Sequence, residues 1–287
     1  MDKTNRAVTI KATVDVIVSA LLFSLGGIMI KLLPWSSFSI NCCRSFFAAG
    51  VILLYMKYTH HKFLFNKAVL LGAVSNSAMS LTYVAAAKLT TAAAAIVLQF
   101  TEPIFVILIM WFFYHRKPSG DAVLTCVVTF GGIVCFFLEN LSGRSVAGAA
   151  LAILSGFAYA FVFLMKKFKN GDFESSIVLS FLINIVIGVW SVGGEKQFNM
   201  HILLILIIFS VLQYGLPYIF LSRGLDHVSP VTASLTSTIE PIANPIIVAV
   251  FYGETIGALA VAGAFMVLGA SLFYNLRQIQ ISEKTDG

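Results

Sequence analysis

Gln99-Phe100-Thr101-Glu102-Pro103 is a polar break inside a long apolar run, and Thr236-Ser237-Thr238-Ile239-Glu240-Pro241 repeats it later in the chain. A shift of 138 positions superposes the two Glu-Pro pairs, and the same shift superposes Phe113-Tyr114 on Phe251-Tyr252. A charge inside a membrane span costs at least about 2.5–3.5 kcal/mol, which makes it a functional-site hypothesis. Two such charges at equivalent positions of a duplicated chain predict one site built by two halves.

The composition is that of an integral membrane protein. Of the 287 residues, 59% are hydrophobic and only 11% are charged, whereas a soluble domain has about 25% charged residues. The mean hydropathy is +0.91, so the surface is expected to contact the lipid bilayer. No basic cluster is interleaved with aromatic residues, so nucleic acid is not expected as a partner. No His or Cys spacing indicates a metal site, and no cofactor is expected.

Apolar windows of about 20 residues, bounded by charged and turn residues, predict the transmembrane helices. Ten spans are predicted, with limits near 13–33, 38–57, 67–87, 91–114, 120–138, 145–166, 174–192, 201–222, 230–252 and 256–277. The links between them are short and leave no room for a folded soluble domain. Because no Walker-type glycine loop is present either, a built-in nucleotide-hydrolysing motor is excluded.

The distribution of basic residues predicts the orientation of these spans. Fourteen of the 19 Lys and Arg residues fall in the links on the side of the two termini, and four fall on the other side. Arg44 belongs to neither side, because it lies within the second span. The positive-inside rule then places both termini in the cytoplasm. The expected location is the plasma (inner) membrane, crossed several times.

The repeat and the span count together predict the architecture. Each half has five spans, an odd number, so the two halves must cross the membrane in opposite senses. The predicted fold is therefore an all-α integral membrane protein with ten transmembrane helices in two inverted five-helix repeats, residues 1–142 and 143–287. Inverted repeats are typical of secondary transporters, which bind their substrate near the bilayer midplane between the halves.

Several local patterns resemble those of a known transporter family. They are Glu102-Pro103-Ile104-Phe105, Arg44 with Phe46-Phe47-Ala48-Ala49, Glu240-Pro241 with Phe251-Tyr252-Gly253-Glu254, and the small-residue helix from Gly257 to Gly269. Nearly the whole chain resembles the EamA-type drug/metabolite transporter superfamily. The resemblance implies a polytopic carrier for amino acids, metabolites, nucleotide-sugars or drugs, and frequently an exporter. One departure stands out, because the first half carries His115-Arg116 where the Gly-Glu pattern would recur.

Glu102 and Glu240 are the first candidates for substrate binding. Pro103 and Pro241 each remove a backbone N–H and displace a carbonyl one turn back. Backbone groups freed in this way at membrane depth must find a partner or line a water-filled cavity. A carboxylate beside such a break can bind a substrate ammonium or carry a proton. The alternative is structural, with each glutamate bonding to the kinked helix of its own half.

Further polar residues at span depth complete the predicted site. Arg44 is suited to a substrate carboxylate through its planar guanidinium, although a structural role near the outer interface is the alternative. Gln99 precedes Glu102 by three residues and shares its helix face. Asn76, Tyr83 and Tyr214 are candidate pocket residues, and Pro217 predicts a third helix break.

The function predicted from these features is secondary transport. The favoured interpretation is an alternating-access exporter of a small metabolite, an amino acid or related zwitterion, with Glu102, Glu240 and Gln99 lining the cavity. If Arg44 and a glutamate face one cavity, the set suits a zwitterion. A multidrug or lipophilic-cation exporter is the alternative, followed by a non-transporting membrane protein. Coupling to a proton and assembly into a homo-oligomer are both compatible with the sequence. No HExxH or Gly-x-Gly-Asp motif is present, so an intramembrane enzyme is not expected.

Overall fold

The computed structural model describes residues 3–90, 92–139, 145–252 and 258–285, and within these ranges the chain is helical without strands. The α-helices of the first half are α1 (Lys3–Phe23), α2 (Gly26–Leu32), α3 (Ser37–Tyr58), α4 (Lys67–Leu89), α5 (Ala92–Gln99), α6 (Glu102–Tyr114) and α7 (Gly120–Glu139). Those of the second half are α8 (Val146–Leu164), α9 (Phe173–Val192), α10 (Met200–Phe209), α11 (Leu216–Leu225), α12 (Pro230–Ser237), α13 (Glu240–Tyr252) and α14 (Ala258–Thr285). The boundary predicted between residues 142 and 143, and Gly253-Glu254, lie outside the described residues.

Side-chain caps start several of these helices in the links. Asn66 accepts hydrogen bonds from the amides of Ala68 and Val69 at the start of α4. Asp172 caps α9, Asn199 caps α10 and Ser229 caps α12 in the same manner. Each cap satisfies backbone N–H groups that have no partner within the helix. The helix boundaries therefore fall where the short polar links of the sequence meet the apolar runs.

The predicted all-helical, two-repeat membrane fold is confirmed, but its spans are less uniform than the sequence suggests. Six helical segments of the described residues are long and apolar enough to cross a membrane. The predicted fourth span is divided into α5 and α6, and the ninth into α12 and α13. The predicted fifth and tenth spans contain shorter apolar stretches, Gly120–Cys135 and Val261–Arg277. The Glu-Pro breaks explain the divided spans, because a proline cannot continue the backbone ladder.

Helices of the two halves pair as the repeat requires. Helix α3 packs on α9 and α7 packs on α14, and each of these is a pair of equivalent spans. The first span of each half packs on the third span of the other half: α1 packs on α11, and α8 packs on α4. Reciprocal contacts of this kind are what a two-fold relation produces. The core of the bundle therefore lies between the repeats, where the largest cluster of buried apolar side chains is found.

The contact between α7 and α14 depends on two glycines. A Cβ at Gly263 would lie 2.4 Å from the carbonyl oxygen of Gly132, and a Cβ at Gly132 would lie 2.7 Å from the carbonyl oxygen of Gly263. Both obstacles are backbone atoms, which cannot rotate away. The absence of two side chains thus lets the backbones of the two terminal spans approach each other closely.

We expect Gly263→Ala to destabilise the protein by about 1–3 kcal/mol, because the added methyl group overpacks this backbone contact. Gly269→Ala is the matched control on the same helix, since a Cβ there meets nothing within 4 Å. In both variants the change from glycine to alanine favours the helix by about 1 kcal/mol, so this contribution cancels in the comparison. Thermal unfolding of the purified protein in detergent measures the difference. Equal melting temperatures for the two variants would contradict the glycine contact.

Candidate functional site

The two Glu-Pro breaks have the same local geometry. After α5 the amide of Thr101 donates to the carbonyl of Leu98 at 3.2 Å, and the amide of Ile104 donates to Thr101 at 3.1 Å. After α12 the amide of Ile239 donates to Thr236 at 3.4 Å, and Ile242 donates to Ile239 at 3.2 Å. Tight turns of this kind replace the α-helical ladder where the prolines interrupt it. Each break leaves a glutamate at the first turn of the following half-helix.

A third irregularity lies in the eighth predicted span. Residues Ser210–Gly215 form a π-helical segment between α10 and α11, and Pro217 follows in the first turn of α11. The carbonyl of Pro217 accepts a hydrogen bond from Ser19 of α1 at 2.8 Å. Single π-helical turns are frequent at functional sites. This one directs Gln213 and Tyr214 inward, where both are buried.

These irregular segments surround a central cavity of about 30 Å³. Its lining residues come from both halves of the chain: Phe23, Arg44, Met79, Tyr83, Gln99, Tyr159, Gln213, Tyr214, Tyr218 and Glu240. A volume of this size holds a few water molecules at most and is too small for a metabolite.

Arg44 is buried in the wall of this cavity. Its side chain donates to Asn41 Oδ1 from Nε at 3.1 Å and from Nη2 at 2.9 Å, and Nη2 also donates to Ser80 Oγ at 2.5 Å. The guanidinium carbon lies 4.0 Å from the centre of the Tyr214 ring, within the range of a cation–π contact. Among the described residues no carboxylate forms an ion pair with Arg44. The charge is thus held rigidly by neutral groups.

Glu240 is the acidic residue of the cavity wall. It is 6% exposed, and its Oε2 atom has no hydrogen-bond partner in the part of the chain that the structure describes. No cation of the described residues pairs with it. Tyr83 lies close enough to interact electrostatically with both Glu240 and Arg44. The cavity wall therefore contains one guanidinium and one carboxyl group, and these two groups do not form an ion pair with each other among the described residues.

Glu102 occupies the equivalent position in the first half but does not line the cavity. It is fully buried, and neither of its carboxyl oxygens has a hydrogen-bond partner within the described residues. The Ser234 hydroxyl lies beside it, and Tyr159 interacts electrostatically with both glutamates. The hydroxyls of Thr125 and Thr129 on α7 are likewise buried without partners. The repeat symmetry is thus broken at the carboxylate, since one glutamate faces the cavity and the other lies behind its wall.

Gln99 lines the cavity, whereas Asn76 supports a residue that does. Gln99 Nε2 donates to Ser155 Oγ at 2.7 Å, and Ser155 in turn donates to the carbonyl of Met79 at 2.9 Å. Asn76 accepts a hydrogen bond from the Tyr218 hydroxyl at 2.6 Å and donates to Ser180 at 2.7 Å. Five of the seven binding residues predicted from the sequence therefore line the cavity, and Glu102 and Asn76 do not.

Sequence reasoning did not single out Phe23 and Met79 as wall residues. Phe23 ends α1, and its ring packs edge-on against Tyr218 with ring centres 5.1 Å apart. Neither residue type distinguishes a cavity wall from a lipid-facing surface in a chain with 25 Phe and 8 Met. The glycine pair Gly26-Gly27 shortly after Phe23 is the sequence feature that marks this region. A Cβ at Gly27 would lie 2.3 Å from the Asn244 side chain, so the glycine allows α2 to lie close to α13.

Polar contacts join the halves at both ends of the bundle. At the end carrying most Lys and Arg residues, Arg223 of the second half pairs with Asp15 of the first at 3.3 Å. At the other end the Ser36 amide donates to Glu195 at 2.9 Å. Burial acts to raise the pKa of Glu195, but hydrogen bonds from Ser39 and Ser36 outweigh it and hold the pKa below its ordinary value. The structure therefore connects the two halves at both ends.

One group of metal-ligand side chains comes together only in the tertiary structure. His61, Asp172 and Glu174 bring ligand atoms within 4.8 Å of one another. Their polar atoms already have protein partners: His61 bonds to Asp172 at 2.8 Å, Asp172 caps α9, and Ser222 donates to Glu174 at 2.5 Å. Long sequence separation hides this group from spacing arguments. These hydrogen bonds explain the group as a structural link between loops, without a metal ion.

Comparison with known proteins identifies the family. A profile of the EamA-like transporter family matches residues 11–138 and again residues 146–276. The chain belongs to this family. The two successive matches correspond to the two halves inferred from the repeated Glu-Pro breaks, and they make the chain a multi-pass membrane transporter of the EamA type.

Individual relatives of this EamA protein are transporters of undefined substrate. An uncharacterized transporter of Archaeoglobus fulgidus is 21% identical over 90% of this chain and 93% of its own length. An uncharacterized transporter of Clostridium kluyveri is 24% identical over 65% of this chain, and the match spans 64% of that relative's length. A solved crystal structure superposes with a TM-score of 0.75 at 14% identity, covering 91% of this chain and 94% of its own. That likeness establishes the shared fold.

Proposed function

We propose that this EamA protein exports a small zwitterion, an amino acid or a related metabolite. The observation that carries the proposal is that one cavity is lined by a guanidinium, Arg44, and a carboxyl group, Glu240, that do not pair with each other. A buried charge without a counter-charge is costly, and a zwitterion supplies a partner to each. Its carboxylate would accept hydrogen bonds from the remaining N–H groups of Arg44, on Nη1, and its ammonium would donate to Glu240. Gln99 and Tyr83 would hydrogen-bond its polar groups.

Alternating access is the mechanism that suits this site. The cavity of about 30 Å³ must enlarge toward one side at a time to admit and release a metabolite. We infer that the two halves move about the breaks at Pro103, Pro241 and Pro217, where the regular ladder is already interrupted. Contacts such as Arg223–Asp15 at one end and Ser36–Glu195 at the other would open in turn. Both termini are assigned to the cytoplasmic side of the inner membrane on the basis of the Lys and Arg distribution.

A lipophilic cation is the second candidate substrate. Five aromatic side chains line the cavity together with Glu240: Phe23, Tyr83, Tyr159, Tyr214 and Tyr218. Aromatic faces attract cations, and a carboxylate adds to that attraction. Arg44 argues against this candidate, because a like charge fixed in the same wall would repel the ligand. The zwitterion is therefore preferred. The two candidates differ in the role of Arg44, whose positive charge would favour binding of a zwitterion and oppose binding of a lipophilic cation.

Glu102 is assigned to proton coupling. Its carboxyl lies behind the cavity wall, with no hydrogen-bond partner for either oxygen, so an ionised form there would lack compensation. A proton moving on and off this carboxyl during the transport cycle would tie substrate movement to the pH gradient. Facilitated diffusion is the alternative when Glu102 has only a structural role.

The proposal is tested by flux into proteoliposomes. The purified protein would be given labelled amino acids and a labelled lipophilic cation, each with and without a pH gradient. Amino-acid flux above that of protein-free vesicles supports the zwitterion carrier. Flux of the cation alone supports the second candidate, and no flux of either overturns both.

For Glu102→Gln we expect folded protein with reduced transport that no longer responds to the pH gradient. The amide fills the same volume but cannot release a proton. Wild type and variant would be compared in the same vesicles at two gradients, with thermal unfolding as the check on folding. A variant that keeps the wild-type flux and the wild-type response to pH would show that Glu102 has no coupling role.

A further inference from the structure

A second cavity, of about 330 Å³, lies at the end of the bundle that carries most of the Lys and Arg residues. We call it the basic pocket, defined by the three cations of its lining, Arg116, Lys117 and Lys167. The first two follow the end of α6, where His115 has a left-handed φ of 52° and turns the chain toward α7. The third follows α8. Helices of both halves therefore contribute to one cationic recess outside the transport site.

The charges of the basic pocket are not neutralised by the protein. Among the described residues none of its three cations forms an ion pair with a carboxylate. The nearby acids are already engaged, since Asp121 pairs with Arg277 at 3.5 Å and Asp226 pairs with Lys166 at 2.5 Å. Such a recess attracts anions, because three like charges in a concave surface reinforce one another.

Two helix starts add to this attraction. Ser119, directly before α7, and Ser229-Pro230, at the start of α12, belong to the lining of the pocket. The positive ends of both helix dipoles therefore lie at the recess. The second half has no equivalent basic segment at this position of the repeat. It carries Gly253-Glu254 in the sequence where the first half carries His115-Arg116.

The floor of the basic pocket is apolar. Ile107, Ala122 and Tyr274 line the floor and belong to one buried cluster. The residues next to two of them in the chain are exposed apolar side chains, Val123 at 44% and Phe273 at 43%. A cationic rim above an apolar floor matches a molecule with an anionic head and apolar tails.

We propose that the basic pocket binds the headgroup of an anionic phospholipid. The phosphate would pair with Arg116 and Lys117 and approach the start of α12, while Lys167 closes the rim from the second half. Basic pockets between transmembrane helices on the cytoplasmic side bind anionic headgroups in this manner. The lipid would join α6, α7 and α12 at one end of the bundle, and the proposal is independent of which substrate is transported.

Thermal unfolding in detergent tests the proposal directly. The purified protein would be titrated with dioleoyl phosphatidylglycerol or with dioleoyl phosphatidylcholine. A ligand that binds only the folded state raises the melting temperature with concentration. We expect a rise with phosphatidylglycerol and none with phosphatidylcholine, and we expect R116A/K117A to lose roughly half of that rise or more.

The matched control is K62A/K67A, which also removes two cations from a link on the same side but outside the basic pocket. Retention of the wild-type response by this control supports the pocket. Equal losses in both double variants, or no loss in R116A/K117A, would overturn it, because the lipid would then sense overall charge or bind elsewhere. Inorganic phosphate is titrated as a further arm, and a rise equal to that with phosphatidylglycerol would overturn the lipid assignment in favour of a soluble anion. If R116A/K117A does not fold, Lys117→Ala alone is compared with Lys62→Ala.

Discussion

Replacing Glu240 with Gln is expected to reduce transport of a zwitterion by roughly 30-fold or more, because removing one partner of a buried charge interaction costs about 2–5 kcal/mol. Glu240 is the acidic residue of the cavity wall, and no cation of the described residues competes for it. The loss should appear mainly as a higher KM, since the carboxylate is assigned to substrate binding. Initial rates of proteoliposome uptake over a range of substrate concentrations measure it.

Glu102→Gln is the matched control for this experiment, because it makes the same chemical change at the equivalent position of the other half. Glu102 does not line the cavity, so its substitution should leave the KM close to wild type while altering the response to pH. Equal increases in KM for both variants would contradict the asymmetry between the two glutamates. An unchanged KM for Glu240→Gln would remove Glu240 from the binding site.

Arg44→Lys is expected to lower transport of a substrate carboxylate by roughly 10- to 100-fold, although the positive charge is kept. A lysine cannot reproduce the forked geometry, and a hydrogen bond to a charged group contributes about 1.5–3 kcal/mol. The guanidinium is positioned by Asn41, Ser80 and the Tyr214 ring, which a flexible ammonium would not match. Flux of the same labelled substrate in wild-type and variant vesicles gives the ratio.

Arg223→Lys is the comparison that separates site chemistry from folding. Arg223 is partly exposed at a bundle end, where it pairs with Asp15 at 3.3 Å, and it does not line the cavity. We expect this variant to transport nearly as well as wild type. Substrate analogues sharpen the result, because an analogue without a carboxylate should be insensitive to Arg44→Lys. Should Arg44→Lys instead increase flux of a lipophilic cation, the second candidate substrate would be favoured.

Much of the fold follows from local sequence signals. Apolar runs of span length and short polar links predict helices, because a membrane leaves the backbone no other way to satisfy its hydrogen bonds within one segment. The two Glu-Pro pairs predict both the duplication and the places where spans divide, since a proline interrupts the ladder wherever it stands inside a helix. The positions at which the spans break, at Glu102 and Glu240, can therefore be predicted from the sequence.

The sequence predicts the composition of the site less completely than its location. Arg44, Tyr83, Gln99, Tyr214 and Glu240 line the cavity, and each is a polar or aromatic residue at span depth. Asn76 has the same sequence features but supports Tyr218 from behind. Polarity at a given depth says that a residue needs a partner, and it does not say whether that partner is substrate or protein.

What the sequence alone determined is that this chain crosses the membrane as two related halves, each broken at a glutamate and a proline. What only the tertiary structure decided is that Glu240 faces the cavity with Arg44 while Glu102 lies behind its wall. The reason is physical. Span length and helix breaks depend on residues close together in the chain, whereas the face that a side chain presents depends on how helices from both halves rotate and pack against each other.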